Sequence, residues 1–286
     1  MTAEAYKWKD YKSELKPVWC PGCGDFGVLS SLYRAMAELQ LEPSNTVVVS
    51  GIGCSSRLPG YVETFGFNGV HGRALTLATG IKVARRELDV IAVGGDGDGV
   101  AIGGNHFLHA ARRNLNIAYI MMDNEIYGLT KGQVAPTTPT GDVTKTTFYG
   151  NPEPAVDPCE LAISFGATWV SRAFSSDIKG TVGLMKAAIQ HRGFSFLNIM
   201  SPCVTFRGKE QQTILKAKQQ SVPEGHDATD RSAAIRLTRE VDVMSVGVLY
   251  EVHQPTINES LHEIRKPWIE KPATLEDVLT AFDPTA

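Results

Sequence analysis

The stretch VGGDGDGVAIGGNHFLHAARRNLNIAYIMMDNEIYGLTKG, residues 93–132, decides how the chain is read. An apolar run at 89–93 leads into the turn Gly95-Asp96-Gly97. A helical pattern follows, and a second apolar run at 117–122 leads into Asp123-Asn124. Strand, helix and strand in that order return the chain to the same end of a parallel sheet. Asp96 and Asn124, 28 positions apart, are therefore expected to meet at one end of that sheet. A carboxylate and an amide oxygen converging beside glycines suit a hard cation and the diphosphate it carries.

On this reading Asp96 gives Mg2+ its carboxylate, Asn124 its amide oxygen and Ile126 its backbone carbonyl. A bare Gly-Asp-Gly is also a common turn with a solvated aspartate. What moves it toward a site is Asn124 at the next strand end, together with Gly94, Gly97, Gly99, Gly103 and Gly104. Asp98 lies further into the turn and is the poorer ligand. There is no Gly-x-Gly-x-x-Gly with a distal acid at the first strand–helix turn, as a dinucleotide fold requires, and no Gly-x-x-x-x-Gly-Lys-Ser/Thr.

Working outward, residues 1–18 read as a polar arm and Trp19-Cys20-Pro21-Gly22-Cys23-Gly24 as a tight turn aiming two sulfurs at one point. Helices are predicted over 26–39, 74–87, 157–166 and 178–191, and strands over 46–50, 168–173 and 194–200. Asp157 and Pro158 read as N-cap and first helical residue. Residues 51–57 and 66–73 read as Gly-rich loops, and 125–154 as a long loop whose first part, 127–133, is functional. Beyond residue 204 the chain turns polar, with two helices predicted over 210–220 and 230–240. Strands alternating with helices up to residue 200 predict an α/β fold, a parallel sheet with helices on both faces. Residues 1–204 read as the cofactor-binding domain, and 205–286 as an extension packing on that domain or on a partner.

With a formal charge of -3 there is no electrostatic case for nucleic acid. No apolar run reaches the roughly 18 residues that span a bilayer, and the N-terminus has no signal-peptide core. No membrane association and a cytoplasmic location are the expectation. Five cysteines in such a chain point to metal binding or redox chemistry rather than disulfides. Cys20, Cys23, Cys54 and Cys203 fall in loops beside Gly or Pro, whereas Cys159 falls inside a helix pattern and reads as a buried thiol. Four thiolates hold zinc or an iron–sulfur cluster. Zinc ribbons usually bring two Cys-x-x-Cys pairs; one pair with two remote singles leans toward a cluster.

The motifs together resemble the β subunits of 2-oxoacid:ferredoxin oxidoreductases. Those that carry the resemblance are Trp19-Cys20-Pro21-Gly22-Cys23-Gly24, Gly51-Ile52-Gly53-Cys54-Ser55, His71-Gly72-Arg73-Ala74, Gly95-Asp96-Gly97-Asp98, the run from Asp123-Asn124 to Gly132-Gln133, and Ser201-Pro202-Cys203. Within the family the 2-oxoglutarate enzymes are the most similar. The resemblance implies a thiamine-diphosphate fold with Mg2+ on Asp96, Asn124 and the Ile126 carbonyl. It also implies one [4Fe-4S] cluster on Cys20, Cys23, Cys54 and Cys203. Gly53, Cys54, Ser55, His71, Gly72, Gly95, Gly97, Asp98, Gly128, Leu129 and Thr130 would line the cofactor. The implied activity is CoA-dependent oxidative decarboxylation of 2-oxoglutarate to succinyl-CoA and CO2, with electrons passing to ferredoxin, or the reverse carboxylation. Alternative readings are the same chemistry on pyruvate or a range of 2-oxoacids, a zinc-stabilised lyase without redox function, and a non-catalytic scaffold. The glutamate that activates thiamine belongs to the α subunit in this family. The chain is therefore expected to be inactive alone and to work as a heterodimer, or a dimer of heterodimers. The segment Arg207-Gly208-Lys209-Glu210-Gln211-Gln212 matches no motif.

Three further residues are candidates at the reaction centre. His71 would donate a hydrogen bond to substrate or diphosphate, unless it is an ordinary loop histidine. Arg57 would clamp a substrate carboxylate through paired planar donors, or make a salt bridge elsewhere. Lys131 would meet substrate, coenzyme A or ferredoxin, or only solvent.

Overall fold

Five apolar runs, buried almost throughout, form the middle of the molecule: β1 (Thr46–Ser50), β3 (Asp89–Gly95), β4 (Ile117–Asp123), β5 (Trp169–Phe174) and β6 (Phe194–Met200). Strands covered on both faces read as continuous apolar stretches rather than alternating ones. The computed structural model describes residues 5–270 and 273–282. In it these strands join β2 (Phe65–Asn68), β7 (Gln219–Ser221) and β8 (Met244–Glu251) in one eight-stranded sheet, ordered β2-β1-β3-β4-β6-β5-β8-β7.

Helices cover both faces, and the period of two along each strand decides what meets which. Val47 and Val49 face α2 (Ala74–Ala84), α3 (Gly104–Arg113) and α4 (Pro158–Phe165), whose Leu75, Phe107 and Ile163 share their core. Val48 faces α1 (Asp25–Leu39) and α5 (Ile178–Gln190), whose Leu32, Met36 and Met185 share the other. The predicted start of α4 is observed: Asp157 accepts hydrogen bonds from the Cys159 and Glu160 N–H groups, and Pro158 follows. Such a cap contributes about 1 kcal/mol.

Up to residue 200 the sheet is parallel as expected, and beyond it an antiparallel strand joins the edge. Strands β1 to β6 pair in parallel, but β8 runs antiparallel to β5, with a register shift at Val170/Ser171. The loop expected at 66–73 begins inside β2, an edge strand exposed along its whole length. Its pairing to β1 is made by backbone, so Phe65 and Phe67 show no burial pattern to read. Beyond residue 204, α6 (Gly208–Lys218) and α7 (Arg231–Thr238) match the two predicted helices. Strands β7 and β8, α8 (Ile257–Glu270) and α9 (Leu275–Ala281) were not anticipated. Ala234, Leu237, Leu249 and Tyr250 lie in the same core as β1 and β3, so the extension packs into the domain. Among the described residues no helix is long and apolar enough to cross a membrane.

Opposite the site end, a half-buried histidine carries a pH dependence. The His191 Nε2 lies 2.7 Å from the Thr168 hydroxyl, which lies 2.8 Å from the Asn114 Oδ1. The amide oxygen only accepts, so Thr168 donates there and His191 donates from Nε2–H. Burial, and then the neighbouring His253, lower the His191 pKa from 6.5 to about 4. The unfolded chain therefore binds more protons between those values. Stability is full above pH 6.5 and falls as pH drops toward 4. Partial exposure screens the effect, leaving a loss of about 1–2 kcal/mol. Urea unfolding at pH 7 and pH 4 is expected to show this loss in the wild type and a smaller one in His191→Gln; equal losses would refute it.

Candidate functional site

Pairing registers bring four strand ends level. Ser50 lies beside Val93, Gly95 beside Met122 and Asp123 beside Met200. From β1 the chain goes to β2 on one side and then crosses to β3 on the other. The loops after β1 and β3 therefore part company, which opens a crevice at the carboxyl ends of the strands. Cys54 follows β1, Asp96 follows β3, Asn124 follows β4 and Cys203 follows β6. The N-terminal arm is tied to the same place. The Trp19 indole N–H donates to the Cys54 carbonyl at 2.7 Å, and the Gly24 N–H donates to the Pro202 carbonyl at 3.1 Å.

Cys20, Cys23, Cys54 and Cys203 line one cavity of about 370 Å3, and Arg57, Asn124, Gly128, Leu129 and Lys131 share its walls. A Cβ on Gly128 would stand 3.5 Å from the Cys54 Sγ and 3.7 Å from the Cys203 Sγ, so the chain passes close to both sulfurs. Burial pushes the Cys54 thiol up to about 12 and raises Cys23 and Cys203 as well. Thiols so placed ionise when a cationic centre lies among them. Among the described residues no three His, Cys, Asp or Glu side chains close around one point to hold a single metal ion. The four cysteines share the lining of one cavity, a donor set of the kind that holds zinc or an iron–sulfur cluster. Cys159 is fully buried in α4, with its Sγ 3.7 Å from the Ser171 carbonyl and apart from the cavity.

The end of the crevice where β3 and β4 stop is acidic and buried. Asp96 and Asp123 are each 2% exposed. The Thr137 hydroxyl stands between them, 2.6 Å from the Asp96 Oδ2 and 3.1 Å from the Asp123 Oδ1. Burial raises both carboxyls above their ordinary range, and at Asp123 the Asp96 charge adds to it. The Asn198 amide and the Glu125 N–H also donate to Asp123, at 3.3 and 3.2 Å, but among the described residues no cation forms a salt bridge with either carboxylate. A divalent ion on Asp96 supplies the missing charge, so the donor set fits Mg2+. The Asn124 Oδ1 accepts the Ile126 N–H at 3.1 Å. The Ser55 Oγ is buried without a partner beside Gly95, an orphan that a bound phosphate would satisfy.

Asp98, expected at the cofactor, engages one carboxylate oxygen within the protein, while its Oδ2 is buried without a hydrogen-bond partner among the described residues. Its Oδ1 accepts the Ile52 N–H at 3.0 Å and the Gly72 N–H at 2.7 Å, and lies 2.7 Å from the His71 Nδ1. A carboxylate accepts, so the His71 Nδ1 donates to it, which fixes the ring. Gly72 is required where it stands: its φ is +74°, and a Cβ would come within 2.7 Å of Ile102. Thr130 is exposed and donates to the Gln133 Oε1 at 2.6 Å, closing its own turn. Arg57 and Lys131 are exposed at the cavity rim. Gly53 has a φ of +146° in the loop that carries Cys54. Sequence reasoning missed Thr137, which lies in a threonine-rich loop where nothing singles it out. It also missed Asp25, whose buried carboxyl accepts the Ser201 hydroxyl at 2.6 Å and is raised to about 6 by burial. Tyr127, its ring edge-on to His71 with its hydroxyl donating to the Gly97 carbonyl at 3.1 Å, stood inside a motif already quoted.

Comparison with known proteins fits this arrangement. Residues 51–199 match the thiamine pyrophosphate enzyme, C-terminal TPP binding domain family. Residues 203–266 match the family of the C terminal of the pyruvate ferredoxin oxidoreductase beta subunit. The 2-oxoacid:ferredoxin oxidoreductase 2 subunit beta of Aeropyrum pernix is 38% identical over 94% of this chain and 91% of its own length. The chain belongs to the β subunits of the 2-oxoacid:ferredoxin oxidoreductases. Another such subunit, the 2-oxoglutarate oxidoreductase subunit KorB of Mycobacterium tuberculosis, is 47% identical over 72% of this chain; the match spans 55% of that relative. A solved member of the family is the 2-oxoglutarate:ferredoxin oxidoreductase from Magnetococcus marinus with 2-oxoglutarate, coenzyme A and succinyl-CoA bound. It superposes with a TM-score of 0.93 at 42% identity, over 98% of this chain and 97% of that one.

Proposed function

We propose that this β subunit, joined to an α subunit, carries out CoA-dependent oxidative decarboxylation of 2-oxoglutarate with ferredoxin as electron acceptor. The reaction runs as reductive carboxylation when ferredoxin is strongly reducing. The observation that carries the reading is that Asn124 and the four cysteines line one cavity at the sheet end where β3 delivers Asp96. Asp96, Asn124 and the Ile126 carbonyl would hold Mg2+ with the thiamine diphosphate, and Cys20, Cys23, Cys54 and Cys203 would hold a [4Fe-4S] cluster. Bound there, thiamine supplies carbanion stabilisation and the cluster a one-electron exit. The protein's own part is to hold and orient. The buried Asp96 fixes the cation, Ser55 reaches for phosphate, and Asp98 fixes the His71 ring through its Nδ1. Gly128 leaves the space between cofactor and cysteines unfilled. The glutamate that activates thiamine comes from the α subunit. The 2-oxoglutarate assignment draws on the names of the M. tuberculosis and M. marinus relatives.

The test is co-expression with the α subunit, followed by CoA-dependent ferredoxin reduction across a panel of 2-oxoacids. Fastest turnover on 2-oxoglutarate is expected; activity on none of the panel would refute the reading. In the same assay Arg57→Ala is expected to raise KM for 2-oxoglutarate about 10-fold, the scale of one charge-assisted hydrogen bond. Pyruvate, which has no distal carboxylate, should be nearly unaffected. An equal loss on both substrates would remove Arg57 from substrate selection.

A further inference from the structure

The segment without a motif, 207–212, makes the most connected polar contact near the site. Gln211, on the first turns of α6, is 4% exposed. Its Oε1 accepts the Cys203 backbone N–H at 2.9 Å. Its Nε2 donates to the Asn124 carbonyl at 3.0 Å and to the Glu125 carboxylate at 2.9 Å. Only this orientation of the amide satisfies all three partners, because Asn124 and Glu125 offer acceptors and Cys203 a donor. One buried side chain thus spans the turn carrying a cysteine of the cluster set and the turn carrying an amide of the Mg2+ set.

The neighbours hold the span from both sides. Arg207 pairs with Glu125 at 2.9 Å and with Asp142, and its own N–H donates to the Cys203 carbonyl at 2.9 Å. Glu125 has a φ of +58°, a backbone that L residues rarely adopt, so its place depends on these contacts. Fixing the Cys203 N–H therefore also fixes the turn that presents its sulfur, and the outer shell of such a centre tunes it.

We infer that Gln211 is a positioning residue that couples the cluster turn to the Mg2+ and diphosphate turn, so that each site senses the geometry of the other. The inference rests on the cofactor assignments made above. A coupling of this kind is reciprocal in binding terms.

The test uses the α/β holoenzyme, with two readouts that do not depend on turnover. These are equilibrium binding of thiamine diphosphate with Mg2+ and the paramagnetic resonance spectrum of the reduced cluster. Gln211→Met keeps the length and removes all three hydrogen bonds. It is expected to weaken thiamine diphosphate binding about 10- to 100-fold, as loss of an outer-shell partner does, and to shift the cluster spectrum as well. Gln211→Glu keeps an acceptor for Cys203 but loses the donors to Asn124 and Glu125. It is expected to weaken binding on the same scale while leaving the spectrum unchanged. Wild-type behaviour of both variants overturns the inference, and so does a Gln211→Met enzyme altered in one readout only. If Gln211→Met fails to assemble, unchanged binding in Gln211→Glu overturns it alone. A wild-type enzyme lacking the cluster signal or Mg2+-dependent binding instead refutes the functional reading beneath it.

Discussion

An Asp96→Ala enzyme, assembled with its α subunit, is expected to lose Mg2+-dependent thiamine diphosphate binding and all 2-oxoacid turnover. Asp96 is the carboxylate of the assigned cation set, is almost fully buried, and has a hydroxyl rather than a cation for its partner. Removing it takes away the charge that draws the cation in and leaves Asp123 as the remaining acid beside Thr137. The loss should exceed the roughly 100-fold that outer-shell substitutions reach. Asp96→Asn separates the two contributions, since it keeps an oxygen but not the charge, and should recover part of the binding. Equilibrium dialysis with and without Mg2+ decides the matter: wild-type affinity in Asp96→Ala would show that the cation is held elsewhere. The cysteines are untouched by this change, so the cluster's visible absorbance should remain.

The second large effect is the converse. Cys203→Ser in the same complex is expected to lose or degrade the cluster, with its iron content and visible absorbance, and to abolish ferredoxin reduction. Thiamine diphosphate still binds, though more weakly, because the turn that carries Cys203 is tied to Asn124 through Gln211. Cys159→Ser, in α4 and away from the cavity, serves as the control and should keep iron, colour and activity. Full iron content and ferredoxin reduction in Cys203→Ser would remove that residue from the ligand set. Zinc in place of iron in the wild-type protein would return the reading to a non-redox lyase.

Much of this was legible because the deciding signals are local. A buried parallel strand declares itself by a continuous apolar run, and a turn at its end by Gly-Asp-Gly; Asp96 and Asn124 therefore emerged from strand–helix–strand order alone. The cysteines stood out by type, and only their convergence needed the fold. What stayed hidden rests on pairing across distance. Strand β2 shows no alternation because nothing covers it, and its partner β1 identifies it only through backbone bonds. Strand β8, with Val246, Val248 and Leu249 in view, was hidden by the polar company of the tail. Thr137 lies 41 positions from Asp96 and Gln211 lies 87 from Asn124. A threonine in a threonine-rich loop and a glutamine in a polar helix carry no sign of such partners. Asp98 is the opposite case, in which the residue was seen and its partners were not. A carboxylate in a glycine turn is equally ready to bind a cofactor or to gather N–H groups, and the arrival of Ile52, His71 and Gly72 at its Oδ1 showed only in the fold.

The level strand ends have a consequence for how such a chain can change over time. Asp96, Asn124 and Cys203 are placed by the registers Gly95 to Met122 and Asp123 to Met200, and side chains along a strand alternate between faces. Inserting a single residue within β4 would exchange the directions of Asp123 and Asn124 and push both past Asp96. The same insertion in the exposed turn at residues 223–225, between β7 and α7, would leave every one of these positions where it is. The rigid middle of the sheet acts as a ruler, and divergence in length among relatives should collect in the connections and spare β3, β4 and β6.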